Sequence, residues 1–289
     1  MTRIADAPFG ARTTYRVGGR AAALVEVETI EELTEAIEAA AGVPVYILGR
    51  GSNTLVADAG FTGVVVHLGE AFSEVTIDVE ESVVVAGAGA DLPVVARRTV
   101  EAGLAGFEWA VGVPGSVGGA VRMNAGGHGS DMAASVIAAE VLDLRSGERS
   151  TWSADDLDFS YRSSAIEPHH LVVSATLSLQ HGDIERGRET LREIVRWRRA
   201  NQPGGANCGS VFTNPEGDSA GRLIESAGLK GRRLGTAHVS TKHANFIQAD
   251  AGGSGDDVAA LMTEVAEAVA ASTGVHLVSE VRRVGFEER

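Results

Sequence analysis

The chain has 289 residues, 44% of them hydrophobic, and its 39 acidic against 25 basic side chains leave a formal net charge of −14. That length buries a large core and predicts two or three compact parts, while the acidic balance speaks against DNA or RNA as a partner. No run of eighteen apolar residues suggests a membrane span, and the opening MTRIADAPFGARTTYRVGG lacks the apolar centre of a secretory signal. A single cysteine, Cys208, excludes an internal disulfide framework and suits a reducing cytoplasm; without CxxC or HExxH, no metal site is expected.

In chain order, residues 29–42 read as a helix, with Thr29 and Glu32 as a capping box, Ile30, Leu33 and Ile37 as its apolar stripe, and Gly42 as its stop. VYIL (45–48) reads as a buried strand, and GRGSNTLV (49–56) as a glycine-bearing turn entering another. Residues 64–68, 74–79 and 82–87 read as a meander of short strands. Residues 91–103 form a helix capped by Asp91, with Pro93 in its first turn and Gly103 as its end. Long strands are expected over 133–144 and 171–179, and an arginine-rich helix over 183–202. The remainder reads as helix 219–227, strand 244–250, helix 255–273 and strand 276–284.

Between these elements lies GVPGSVGGAVRMNAGGHG (112–129), with seven glycines and no acidic residue. A flexible linker would be rich in serine, whereas Val113, Val117, Val121 and Met123 pin this segment to a core. Dense glycine otherwise marks φ > 0 or close approach to a ligand, so an anion-binding loop is the better reading. Gly49 and Gly51 supply GxG, but a strand follows instead of a helix and the third glycine is missing, so this is no Rossmann fingerprint; no GxxxxGK[ST] occurs either. Two backbone nests could still hold the two phosphates of a dinucleotide, with Ser52, Asn53, Ser116 and Asn124 as side-chain donors.

Taken together, LGRGSNTLV, GVPGSVGGAVRMNAGGHG, FSYRSS, CGSVFTNP, AGRLIESAGLKG, VSTKHANFI and EVRRVG resemble the UDP-N-acetylenolpyruvoylglucosamine reductase family (UDP-N-acetylmuramate dehydrogenases) in order and spacing, from Thr13 to Gly285. The resemblance implies an α+β chain: an FAD-binding fold of the vanillyl-alcohol-oxidase (PCMH) type in two subdomains, 1–70 and 71–182, then a smaller α+β substrate domain over 183–289. It implies non-covalent FAD, NADPH as co-substrate and reduction of the enolpyruvyl group of UDP-N-acetylglucosamine enolpyruvate for peptidoglycan synthesis. Its partners would be small molecules only, and the protein a cytoplasmic monomer. Other readings are a different FAD oxidoreductase of this fold, or a catalytically silent flavin- or nucleotide-sugar-binding protein.

Carried over by motif, the FAD cradle would comprise Gly49, Arg50, Gly51, Ser52, Asn53 and Thr54, together with Gly115, Ser116, Gly118, Gly119, Ala120, Asn124, Ala125 and Gly126. Arg162 matches the catalytic arginine, whose guanidinium stays charged and grips a carboxylate in two places. Ser210 matches the proton donor to the carbon next to the new C–H bond, a role open to a hydroxyl when geometry is fixed. Glu280 would be an active-site carboxyl, and as part of a strand it would share a face with Arg282. Tyr161, Asn214, Lys242 and His243 are expected at the substrate, although Tyr161 also reads as a core residue. The chain departs from the family at Gly127 and His128, which replace alanine and tyrosine, and at Thr213, which replaces lysine. Only SSAIEPHH separates Arg162 from the next strand, so the chain resembles the shorter subclass without a tyrosine-bearing loop. His169 and His170 read as solvent-facing loop residues.

Overall fold

The computed structural model describes residues 1–286. Mixed helices and strands make an α+β chain, as expected. Its internal contacts define two compact units: residues 1–3, 25–50 and 66–198 form one, and residues 4–24, 51–65 and 199–289 the other. The three consecutive segments read from the sequence thus map onto interleaved ones.

The first unit is built on a five-stranded antiparallel sheet in the order Arg149–Ser153, Val136–Asp143, His170–Ser178, Val83–Gly87, Val75–Asp78. Along His170–Ser178 Leu171, Val172 and Val173 are all buried, and from Val173 to Leu177 burial alternates, with Ser174 and Thr176 less covered than Val173, Ala175 and Leu177. The helix Leu92–Glu101 buries Val95, Ala96, Thr99 and Val100. Asp91 has the extended backbone of a cap, yet its side chain caps nothing and instead pairs with Arg50, 2.8 Å from Nε. The arginine-rich helix runs from Ile184 to Asn201 and buries Gly187, Leu191 and Ile194.

The expected meander is only partly present. Val75–Asp78 and Val83–Gly87 do form a hairpin, but Phe61–Leu68 belongs to a separate sheet ordered Thr2–Ala7, Ala21–Val27, Phe61–Leu68, Val45–Leu48. Half of the expected capping box forms at Ile30–Ala39: Thr29 Oγ1 accepts the Glu32 N–H at 3.2 Å, while the Glu32 carboxylate reaches one residue past the cap to the Glu28 N–H at 2.8 Å.

In the second unit the helix Gly255–Thr273 turns Val258, Leu261, Met262, Val265 and Val269 inward, capped by Ser254 and ended by Gly274 at φ +75°. They share one core with Tyr15, Leu55, Val211, Phe212, Leu223 and Ile247. The strand expected over 276–284 is shorter. Only Arg282–Val284 enters a ladder, parallel to Thr54–Val56, with a lone bridge between Ser279 and Phe212.

Candidate active site

The glycine-rich segment contains the short helix Val117–Arg122, preceded by a 3-10 turn at Glu108–Gly112. Its glycines therefore have several causes. Gly115 (φ +152°) and Gly129 (φ +86°) occupy backbone that side chains avoid. A Cβ on Gly118 would lie 2.8 Å from the Ala88 Cβ, one on Gly126 2.6 Å from the Ser130 carbonyl oxygen, and one on Gly112 2.9 Å from the Ile194 side chain. Those three are bare because the protein packs against them. Gly119 and Gly127 differ: a Cβ there would meet only Ser116 Oγ at 3.5 Å or Val113 Cγ2 at 3.6 Å, ordinary contacts. Gly118 and Gly119 lie in a helix, so neither requires φ > 0.

The two glycine-bearing turns meet within the first unit. Gly49 lies against Ser116, where a Cβ would come within 2.4 Å of Oγ. The Arg50–Asp91 pair and the bridge between Asp91 and Ser116 extend this junction. Asn124 follows the helix in a left-handed conformation (φ +38°) and is 3% exposed. Its amide nitrogen donates to the Ser160 carbonyl at 2.9 Å and to Asp131 Oδ2 at 3.3 Å, and its Oδ1 accepts the Ala133 N–H at 3.0 Å. Asn124 is thus spent on tying the glycine run to the FSYRSS turn.

Arg162 rides on that turn, itself left-handed at φ +58°, between the mutually bridged Ser160 and Ser163. Its Nη2 donates to the Gly126 carbonyl at 2.9 Å and Nη1 to the Asn124 carbonyl at 3.5 Å, and the guanidinium lies 5.3 Å from the Tyr161 ring centroid. Tyr161 is 56% exposed, which removes the reading of it as a core residue.

The second unit assembles the other candidates. Ser210 is half-buried, and among the described residues its hydroxyl has no hydrogen-bond partner. The backbone beside it is held firmly: Val211 N–H donates to the Asn245 carbonyl at 2.9 Å, and Glu280 N–H to the Val211 carbonyl at 2.9 Å. The buried Asn245 carboxamide clamps Phe212 at both ends, accepting its N–H at 3.0 Å and donating to its carbonyl at 2.8 Å. Asn53 donates Nδ2 to the Glu280 carbonyl at 2.8 Å and accepts the Arg282 N–H on its own carbonyl at 2.9 Å, which fixes Glu280 beside the GSNT turn. Glu280 precedes the ladder and is placed by these bonds, so the face shared with Arg282 in a strand does not describe it. Burial pushes the Cys208 thiol up to about 12 and the Tyr15 hydroxyl well above its usual range, so Cys208 is an uncharged packing residue.

Of the remaining candidates, Asn214 accepts the Ala220 N–H at 3.0 Å at the start of the helix Ala220–Ser226. Lys242 donates Nζ to the Arg199 carbonyl at 2.5 Å. His243 packs edge-on to Phe246 with 4.8 Å between ring centroids, and burial lowers its pKa. Gly49, Arg50, Gly115, Ser116, Gly118, Gly119, Ala120, Asn124, Ala125, Gly126, Tyr161 and Arg162 therefore gather in the first unit. Gly51, Ser52, Asn53, Thr54, Ser210, Asn214, Lys242, His243 and Glu280 belong to the second. Sequence reasoning missed Asp91 and Asn245. An asparagine inside the apolar run HANFI was the visible signal for Asn245, since a buried carboxamide must spend its hydrogen bonds on neighbours.

A family model described as the C-terminal domain of UDP-N-acetylenolpyruvoylglucosamine reductase matches residues 201–284, and one described as an FAD-binding domain matches residues 21–152. The chain is 43% identical to UDP-N-acetylenolpyruvoylglucosamine reductase of Rubrobacter xylanophilus, covering 97% of this chain and 94% of that one. It is 42% identical to the protein of that name from Heliobacterium modesticaldum, with 96% and 89% covered. The crystal structure of UDP-N-acetylenolpyruvylglucosamine reductase from Thermus caldophilus superposes with a TM-score of 0.83 at 36% identity, over 98% of each chain.

Proposed function

The chain belongs to the UDP-N-acetylenolpyruvoylglucosamine reductase family, and from that premise we propose how its own residues divide the work. It is an FAD-dependent oxidoreductase that reduces the enolpyruvyl group of UDP-N-acetylglucosamine enolpyruvate in peptidoglycan precursor synthesis. FAD, when bound, relays a hydride to the substrate, and NADPH is the reductant we infer.

The first unit's glycine junction suits a dinucleotide. Gly119 has room for a side chain that the sequence withholds, the mark of a surface kept bare for a ligand, and its neighbour there, Ser116 Oγ, also lies against Gly49. The observation that carries the reading is Arg162, anchored to the Gly126 carbonyl of this same segment. As hydride reaches the vinylic CH2, negative charge spreads into the substrate carboxylate, and a guanidinium held in place by backbone meets that charge without reorganising. Tyr161 borders it. Ser210, whose hydroxyl has no hydrogen-bond partner among the described residues, is assigned as donor to the adjacent carbon, and Glu280 as the carboxyl that polarises the substrate carboxylate. Gly51, Ser52, Asn53 and Thr54 are assigned to FAD, and Asn214, Lys242 and His243 to the nucleotide sugar.

No helix among the described residues is long and apolar enough to cross a membrane. The water-soluble substrates fit a cytoplasmic monomer. The deciding assay is simple: the purified protein should be yellow, release all its colour on acid precipitation, and oxidise NADPH rapidly only with the enolpyruvyl sugar present. Rapid NADPH oxidation without the sugar would point to another FAD oxidoreductase, and no turnover with it to a silent binding protein.

A further inference from the structure

The strands Val136–Asp143 and His170–Ser178 pair so that Asp143 stands opposite His170. Residues 144–169 leave and return at this neck, carrying the strand Arg149–Ser153 and the Tyr161–Arg162 turn. Asp143 spends Oδ1 on the N–H groups of Arg145 (2.7 Å) and Ser146 (3.2 Å), which starts the excursion. Its Oδ2 lies 3.8 Å from His169 Nε2, and the opposite nitrogen of that ring, Nδ1, lies 3.3 Å from Glu167 Oε2. The His169 and His170 ring centroids are 4.0 Å apart, and Trp152 meets His170 edge-on at 4.9 Å. One nitrogen from each histidine and one Asp143 oxygen lie within 4.8 Å of one another. The His169 side chain is only 16% exposed, so these are not freely solvated loop histidines.

We propose that Asp143, His169 and His170 bind a divalent transition-metal ion of the zinc or cobalt class, closing the neck of the segment that carries Arg162. Two imidazoles and one carboxylate suit borderline cations, whereas magnesium and calcium prefer oxygen throughout. Metal–ligand bonds of about 2.0–2.2 Å put tetrahedral ligand atoms roughly 3.3–3.6 Å apart, so the three groups must close by on the order of 1 Å, within reach of side-chain rotation at a sheet end. Glu167 supplies the orienting partner: a carboxylate on Nδ1–H leaves the Nε2 lone pair facing Asp143, as in the carboxylate–histidine–metal arrangement. Water would complete the shell. The rival occupant of the gap is a proton, since a doubly protonated His169 could bridge Asp143 and Glu167 unaided. In that rival His170 keeps only the hydrogen bond it already makes, accepting the Glu167 N–H on Nδ1 at 3.1 Å, whereas the metal would take its remaining nitrogen, Nε2.

The test uses the full chain with its flavin, stripped of metals with a chelating resin. Zn(II) is titrated calorimetrically, and Co(II) by its visible absorption beyond the flavin bands. We expect one ion per chain, a tetrahedral-type Co(II) spectrum, no heat from Mg(II), and slower hydrogen exchange over residues 144–169 when Zn(II) is bound. Asp143→Asn keeps an oxygen for the turn, and this change, His169→Gln and His170→Gln should each weaken Zn(II) at least tenfold; Glu167→Gln should weaken it by roughly tenfold. Flavin content and metal-free Tm matching the parent show that a variant is folded. The absence of saturable one-to-one binding would mean a protonated histidine only. Zn(II) binding undiminished in a folded His170→Gln would place the ion elsewhere among the chain's 8 histidines. Either result overturns the proposal.

Discussion

Each unit carries one side chain to which we assign a chemical role, on a turn whose backbone is pinned by a buried asparagine, and the two proposed roles are opposite. Asn124 holds the Ser160 carbonyl, and the turn it secures presents a guanidinium already bonded to the Gly126 carbonyl. Asn245 holds both polar groups of Phe212, and the turn it secures presents a serine hydroxyl with no partner among the described residues. A cation that only has to receive charge gains from being fixed in advance. A proton donor must still give its hydrogen away, and a competing acceptor in the resting protein would oppose that.

The sharpest way to break this contrast is to remove the hydroxyl. Ser210→Ala should leave bleaching of the flavin by NADPH near normal while slowing reduction of the enolpyruvyl sugar by roughly 10²–10⁴-fold, as general acid catalysis predicts. Stopped-flow absorbance separates the two; equal slowing of both would make Ser210 structural. Arg162→Lys should lower sugar turnover and also raise the sugar's KM, because a point charge replaces a fork.

Next come the two clamps. Asn245→Ala strands the Phe212 N–H and carbonyl in a buried place, at about 1–3 kcal/mol for each group, and denaturant unfolding should register it. Asn124 adds a backbone demand, φ +38°, that Asn245 does not share. Asn124→Gly should therefore be less damaging than Asn124→Ala, and the reverse order would show that backbone strain is not what selects asparagine there.

Within the glycine run, Gly118→Ala must displace Ala88 and should cost about 1–3 kcal/mol in folding. Gly119→Ala has space, gains helix propensity of up to about 1 kcal/mol, and should weaken only FAD retention. A Gly119→Ala protein holding FAD at parental affinity would exclude that face from the cradle.

The smallest effect concerns pH. Burial holds the His243 pKa below its ordinary value, so the unfolded chain takes up the proton first. Its contribution is full above about pH 6.5, falls as the pH drops toward the folded value, and then levels off. The parent Tm should decline on this acid side more steeply than that of His243→Gln.

The sequence made the local elements legible because their signals are local. Thr29 announces a helix start and acts as read, and the helix expected over 255–273 is present with Ser254 and Gly274 at its ends. The pairing of Arg282–Val284 with Thr54–Val56 was hidden, because no periodicity links residues so far apart. Asp91 looked like a helix cap and serves Arg50 instead; a carboxylate's partner is chosen by tertiary proximity. In the glycine run composition alone signalled a ligand, although packing or backbone conformation accounts for five of the seven glycines. The motif positions were readable as a set, but their assignment to two interleaved units was not.

That interleaving limits how the protein can be taken apart or inherited. The chain changes unit after residues 3, 24, 50, 65 and 198, so no single cut yields either unit as a continuous piece. A fragment ending at Arg198 would keep Thr54–Val56 while discarding its parallel partner Arg282–Val284, and would strip Tyr15, Val17 and Leu55 of the rest of their core cluster, which begins at Cys208. Fusion or recombination at the apparent boundary before the last ninety or so residues would therefore transplant an incomplete module. Residues 4–24, 51–65 and the stretch from Arg199 onward must travel together for the second unit to exist.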